Sequence, residues 1–437
     1  MTPPSDERLR RLAMGTLDAN RQQAHTVPSR TLYPHQWSWD AGFIAVGLAR
    51  YAPDSAWSEL RSLFGAQWAD GRVPHIAFDP TDGDRHYYPG PRFWRSDLAE
   101  WAPRRPTSGI VQPPVHALAA WEIYRSAPEA TARAVGAAEL RWLYPRLVAQ
   151  QHYLAACRDV GGGGLACLVH PWESGQDNSP AWDAALAAVP ADRVVPGYRA
   201  DLEVSVPSHR PTDADYARYL LIAQCYREHR YVDDGPGDRY LFLVEDPAFN
   251  AVYAAAEHAL ARIAGVIGAD PAPHRVHAAR VTRALVERLY DPATGMFHAL
   301  DLYTGALSPA RCAGGLLPLI LPGLPDAQVK SLLAEATSAR FGLGTNPLAV
   351  PSYDRTAPDR DPERYWRGPV WVNMNWLLWR GLREHGQVEL AETLRQGTIA
   401  LVRDAGFYEY FHPETGAGIG TAEFSWTAAL ILDLLAS

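Results

Sequence analysis

The chain has 437 residues, 47% hydrophobic and 21% charged, with a formal net charge of −8 at pH 7. This is the composition of a globular protein with a large buried core, and it offers no basic stripe for nucleic acid, no charged tail and no apolar run of transmembrane length. The N-terminal MTPPSDERLRRLAMGTL is charged and amphipathic and has no apolar signal core, so a cytoplasmic location is expected, with no membrane or nucleic-acid partner.

Apolar residues at three- and four-residue spacing predict helices over Glu7–Asn20, Pro114–Ser126, Ala137–Arg158, Asp213–His229, Asn250–Ile267, His274–Leu289, Asp326–Ser338, Trp371–His385 and Gln387–Asp404. Several follow Asp, Ser or Pro and stop near Gly, as helix capping requires. Strand-like alternation is confined to Leu241–Val244 and Met296–Leu300, the second directly after the turn Asp291–Gly295. Three long connections, at 79–108, 190–210 and 351–369, are rich in Pro, Gly, Arg and aromatics. Links this long in a compact domain are often functional. Helices paired by alternately short and long links predict an all-α fold, an α/α barrel or toroid with its long loops on one face. A superhelical repeat is the competing form, and the absence of a fixed-period repeat argues against it.

Cys157, Cys167, Cys225 and Cys312 form no C-x-x-C pair and read as reduced core residues. The 15 histidines show no metal-ligand spacing, and there is no nucleophile elbow or phosphate loop. Fifteen tryptophans serve equally to pack helices or to line a pocket for sugars, whose C–H faces stack on indole.

Four segments carry candidate chemistry. In Tyr33–Phe43, two tryptophans (Trp37, Trp39) and Tyr33 surround Asp40, which is either a helix cap or an acceptor for ligand hydroxyls. In His170–Asp183, Trp172 and Trp182 accompany Glu173, Asp177 and Asp183. Asp177 has the apolar setting that raises a carboxyl pKa toward that of a general acid, or it caps a helix starting near Ser179. Glu173 and Asp183 read as structural acceptors. In Phe407–Gly416, Glu409 stands among aromatics before the turn Pro413–Gly416, as a functional carboxylate or one half of a salt bridge. In Tyr365–Trp376, Gly368 opens a Trp-rich stretch and would let a ligand approach the backbone, or simply starts a helix.

Taken in order, Q-W-x-W-D, W-E-S-G-x-D-N-S-P-x-W-D, Y-W-R-G-P-V-W and Y-E-Y-F-x-P-x-T-G…F-S-W-T-A-A resemble glycoside hydrolase family sixty-three, nearest to its short bacterial glucosylglycerate and mannosylglycerate hydrolases. The resemblance runs from Tyr33 to Ala429. It implies one (α/α)6-barrel catalytic domain over residues 1–437, hydrolysis of a small α-glycoside with inversion, and no metal or cofactor. Asp177 falls on the family's acid and Glu409 on its base. Inversion requires the two carboxyls roughly 6.5–9.5 Å apart, with room for water. The same resemblance puts the donor sugar on Tyr33, Trp37, Trp39, Asp40, Gln112, Trp172, Trp366, Gly368 and Trp371, with Tyr88 (or Tyr87) closing over it.

It also assigns an acceptor carboxylate to Arg210 and Tyr216, with Tyr365 as a third contact. Without the resemblance, Arg210 reads as a surface salt bridge to Asp213 or Asp215. Glu423 stands where a neutral amide is expected in a glycerate-binding enzyme. A negative charge beside a bound carboxylate is unfavourable unless it is protonated or paired with Arg210. A neutral acceptor, as in a trehalase-like α-glucosidase, therefore stays open. A sugar-binding toroid without catalysis is the remaining alternative, and retention of both Asp177 and Glu409 argues against it.

Overall fold

The computed structural model describes residues 3–437 except 80–86, 128, 195–196, 198, 234, 236, 238 and 346–348. Its longer α-helices are α1 (Asp6–Asn20), α2 (Ser38–Leu48), α3 (Pro53–Phe64), α4 (His116–Ser126), α5 (Ala130–Cys157), α6 (Asp213–Glu228), α7 (Pro247–Ile267), α8 (Ala272–Leu289), α9 (Asp326–Thr337), α10 (Val372–Glu384), α11 (Val388–Ala405) and α12 (Ser425–Leu435). Starts follow local chemistry. Ser5 caps α1, Thr212 and Asp215 form a capping box on α6, and Asp246 accepts from the Phe249 amide at the head of α7, with Pro247 at its first position.

All nine predicted helices are present, with ends shifted by three residues or fewer, except that α5 starts seven residues earlier, at Ala130. The predicted spans leave out α2, α3 and α12. The reason for two of these lies in their surroundings. All eleven residues of α2 and all eleven of α12 are buried, whereas α1 buries five of fifteen. A helix covered on every side is apolar on every side, and its 3.6-residue signature weakens.

Packing explains that difference. Helix α2 rests on α4, α4 on α7, α7 on the 3₁₀ helix Ala313–Ile320, that helix on α10, α10 on α12, and α12 again on α2. A second set lies against these: α3 on α2, α5 on α4 and α7, α8 on α7, α9 on the 3₁₀ helix, α11 on α10 and α12, and α1 on α12. Each inner Leu, Ile or Phe taken fully from water, such as Phe43 or Ile431, stabilises the fold by about 1.5–3 kcal/mol.

Strands are two-residue pairs. Val244–Glu245 lies between Cys167–Leu168 and Leu300–Asp301, and Met296–Phe297 pairs with Tyr290–Asp291. The predicted Leu241–Val244 and Met296–Leu300 each hold part of a strand. The long connections contain structure of their own: the helix Pro91–Trp94, the helix Asp201–Val204 and the 3₁₀ turn Pro207–His209. Cys167 and Cys312 are buried, Cys157 and Cys225 half-buried, and all four are free thiols. Among the described residues no helix is long and apolar enough to cross a membrane.

Candidate active site

A cavity of about 820 Å³, counted out to its open mouth, lies at the N-terminal ends of α2 and α12. Thirteen residues singled out in the sequence share its wall: Tyr33, Trp37, Trp39, Asp40, Tyr87, Tyr88, Gln112, Trp172, Asp177, Arg210, Tyr216, Tyr365 and Glu409.

Glu409 precedes the strand Tyr410–Phe411, which pairs with Gly418–Ile419 across the turn the sequence predicts. The Glu409 amide donates to the Thr421 carbonyl at 3.0 Å, fixing the carboxylate at the hairpin's end. The Tyr33 hydroxyl donates to Oε1 at 2.8 Å, the Thr421 amide to Oε2 at 3.4 Å, and Arg210 Nη1 lies 3.5 Å from Oε2. Only 1% of Glu409 is exposed. Gly420 makes room for it: at φ +76°, a Cβ there would stand 2.5 Å from Oε2.

Arg210 is buried, not on the surface as a lone reading of it suggests. Nη2 donates to the Tyr33 hydroxyl at 3.0 Å, Nε lies 3.4 Å from Asp201 Oδ2, and the guanidinium sits 4.0 Å over the Tyr365 ring. Asp213 pairs with Arg199, and Asp215 caps α6 through Thr212, so neither suggested surface partner is used.

Asp177 is held differently. Its main-chain carbonyl accepts from Trp182 Nε1 at 2.8 Å and from the Tyr219 hydroxyl at 3.0 Å, which fixes the backbone. The cap of the following 3₁₀ helix is Ser179, not Asp177. Burial pushes the Asp177 carboxyl up to about 7; the charges of Glu409 and Asp201 add to this and Arg210 opposes it. Glu173 and Asp183 are structural acceptors, as expected. Glu173 forms a fully buried pair with Arg158 at 2.7 Å and accepts the Val111 and Val169 amides, and Asp183 pairs with Arg367 at 2.8 Å.

The remaining wall is aromatic. Tyr33 and Tyr87 meet Trp37 edge-on at 5.2 and 5.1 Å, and His75 stacks on Trp172 at 6.2 Å. The strand pairing of Trp37 with Ile76 sets the first of these rings. Gly175, at φ +69°, lets the Trp39 ring pass where a Cβ would come within 2.3 Å of it. Asp40 lies inside the first turn of α2, whose cap position is Trp37, and burial drives its carboxyl well above the usual value. Gln112 accepts from the Trp39 amide at 3.2 Å, and the Tyr216 hydroxyl donates to the Tyr88 carbonyl at 3.1 Å.

Four expected contacts lie outside the wall. Trp366 and Trp371 stack on each other at 3.9 Å, and Trp371 stacks on Tyr410 at 4.8 Å, forming a layer behind the lining. Gly368 is required by its own chain, since a Cβ would stand 2.5 Å from the Asp361 carbonyl oxygen. Glu423 is exposed, with a left-handed backbone at φ 53°, and its carbonyl accepts from Asn20. It therefore adds no charge to the cavity wall. The wall also holds residues that sequence reasoning passed over: Asp201, His75, Phe424 and Trp426. Phe424 and Trp426 flank Ser425 in a motif quoted above. Asp201 had no signal beyond lying in a long loop.

The chain matches the model of the mannosylglycerate hydrolase MGH1-like glycoside hydrolase domain over residues 33–427. It belongs to that family. Its relatives include a mannosylglycerate hydrolase of Rubrobacter radiotolerans, 41% identical over 99% of this chain and 98% of that one. A glucosylglycerate hydrolase of Mycolicibacterium hassiacum is 38% identical over 94% of each. The crystal structure of a mannosylglycerate hydrolase from Thermus thermophilus in complex with Tris and D-glycerate superposes with a TM-score of 0.88, at 38% identity, covering 97% of this chain and 99% of that one. A neutral trehalase from Saccharomyces cerevisiae shares the fold alone, at 15% identity over 94% of this chain and 73% of that one, with a TM-score of 0.58. The chain is thus a mostly helical glycoside hydrolase.

Proposed function

We propose that this enzyme hydrolyses glucosylglycerate or mannosylglycerate with inversion, using Asp177 as general acid and Glu409 as general base. The observation that carries this reading is the contrast between two carboxyls lining one cavity: Asp177 with its pKa raised to about 7, and Glu409 held by Tyr33 and Arg210. Asp177 donates its proton to the glycosidic oxygen as that oxygen's bond to the anomeric carbon breaks. Glu409 takes a proton from water, and that water's oxygen attacks the opposite face. The sugar leaves with the anomeric configuration reversed, and glycerate is released.

Sugar hydroxyls bond Asp40 and Gln112, and its C–H faces rest on Trp37, Trp39 and Trp172. The acceptor carboxylate binds Arg210, with Tyr216 and Tyr365 beside it. A guanidinium has five N–H donors, more than the three that Asp201, Glu409 and Tyr33 take from Arg210. The exposure of Glu423 removes the charge objection to a carboxylate acceptor. The cycle α2–α4–α7–3₁₀–α10–α12, backed by a second layer, is read as an (α/α)6 barrel forming one catalytic domain. Tyr88, tied to Tyr216, covers the sugar; the neighbouring residues 80–86 of its loop lie outside the described residues.

A panel of glucosylglycerate, mannosylglycerate, glucosylglycerol, trehalose and kojibiose tests the reading. Turnover is expected to be at least tenfold more efficient on one glycerate glycoside than on any neutral compound. A preference for trehalose or kojibiose would overturn the acceptor assignment.

A further inference from the structure

The charges around Arg210 run in an alternating line that ends on the catalytic wall. Glu409 lies 3.5 Å from Arg210 Nη1, and Asp201 Oδ2 lies 3.4 Å from Arg210 Nε. The same Asp201 forms a two-point pair with Arg199, at 2.6 Å to Nη2 and 3.2 Å to Nε. Arg199 in turn bonds Asp213 at 3.0 Å and lies 4.5 Å over the Tyr216 ring. Asp201, Arg199 and Arg210 are all at least nine-tenths buried, and Asp201 and Arg210 line the cavity.

We propose that Asp201 is a specificity-determining positioning residue: by holding Nε of Arg210 it fixes the orientation in which the guanidinium meets the acceptor carboxylate. This rests on the reading that the acceptor carries a carboxylate. A guanidinium offers a carboxylate two useful edges, the Nε side and the Nη end. Asp201 on Nε, Glu409 on Nη1 and Tyr33 on Nη2 hold the guanidinium plane in one orientation, so a ligand carboxylate meets it in one pose. Left free, Arg210 could bind the same carboxylate on its side edge, displaced from that pose. Arg199 lets Asp201 do this without adding net charge. Burial works against the Asp201 anion, but the hydrogen bonds from Arg199 and the charges of Arg210 and Arg199 outweigh it and hold the carboxyl below its usual range.

The test uses Asp201→Ala and Asp201→Asn in the full chain, each checked for a wild-type circular dichroism spectrum. Kinetics on glucosylglycerate, mannosylglycerate and glucosylglycerol are combined with D-glycerate binding by calorimetry. Asp201→Ala should raise KM for the better glycerate glycoside and Kd for glycerate by at least tenfold. The loss in kcat/KM on glucosylglycerol should be at least fivefold smaller. Asp201→Asn keeps an oxygen acceptor for Nε and should recover more than half of the binding loss on a logarithmic scale. Equal losses on charged and neutral substrates, or tighter glycerate binding in Asp201→Ala, would overturn the proposal. So would loss of the native fold in Asp201→Ala together with equal losses on charged and neutral substrates in Asp201→Asn. A wild-type enzyme that neither binds glycerate nor cleaves its glycosides refutes the carboxylate-acceptor reading itself, and the inference with it. Wild-type turnover with indifferent variants refutes the inference alone.

Discussion

The wall that carries Glu409 and the wall that carries Asp177 place the same kind of group in opposite surroundings. Around Glu409 the chain gathers donors: the Tyr33 hydroxyl, the Thr421 amide and the Arg210 guanidinium. Around Asp177 it anchors the backbone through Trp182 and Tyr219, while burial raises the carboxyl to about 7. Burial keeps the Asp177 carboxyl available as a proton donor near neutral pH, as a general acid requires.

The largest effects should come from removing either member of the pair. Glu409→Gln and Asp177→Asn should each lower kcat by about 10²–10⁴-fold in a steady-state assay, with the fold retained. A variant within tenfold of wild type would remove that residue from the mechanism. Tyr33→Phe comes next. It deletes a hydrogen bond to a carboxylate worth about 1.5–3 kcal/mol, so kcat/KM should fall by about 10–100-fold, with KM less affected than kcat.

The two walls are also coupled, and pH reveals it. Asp177 works protonated, so kcat/KM should be sustained below about 7 and decline above it. Glu409 and Asp201 help to raise Asp177, so the residual activity of Glu409→Gln should show its alkaline limb at lower pH. An unmoved limb would separate the two walls. Stability has its own sign. The folded Asp177 pKa lies above its unfolded value, so the penalty on the folded state grows as pH rises from about 4 and is complete above about 7. Asp177→Asn should therefore melt higher than wild type at pH 8, with the gain vanishing near pH 4. The smallest expected effect is that of Glu423→Gln, an exposed side chain outside the cavity wall. Its kcat/KM on glycerate glycosides should stay within about twofold of wild type, since surface substitutions rarely exceed about 0.5 kcal/mol.

These walls differ in how far their sequence betrays them. The Glu409 hairpin was legible, because aromatics flank the carboxylate and Pro413–Gly416 marks the turn. The tryptophans around Asp177 were legible as an apolar setting, and the amphipathic outer helices as helices. The fully buried α2 carries almost no periodic signal and α12 only a modest one, although their N-terminal ends supply Trp39, Asp40 and Trp426 to the cavity. The role of Arg210 depends on a partner far along the chain, Glu409, 199 residues away. Gly368 and Trp371 lie behind the cavity wall, where Gly368 lets the chain pass Asp361 and Trp371 stacks on Trp366.

The first-formed anomer tests the acid–base pair most directly. Proton NMR of the sugar released from an α-linked glycerate glycoside, recorded before mutarotation, should show the β-anomer first. The α-anomer appearing first would mean retention, and would contradict Glu409 as a base acting through water.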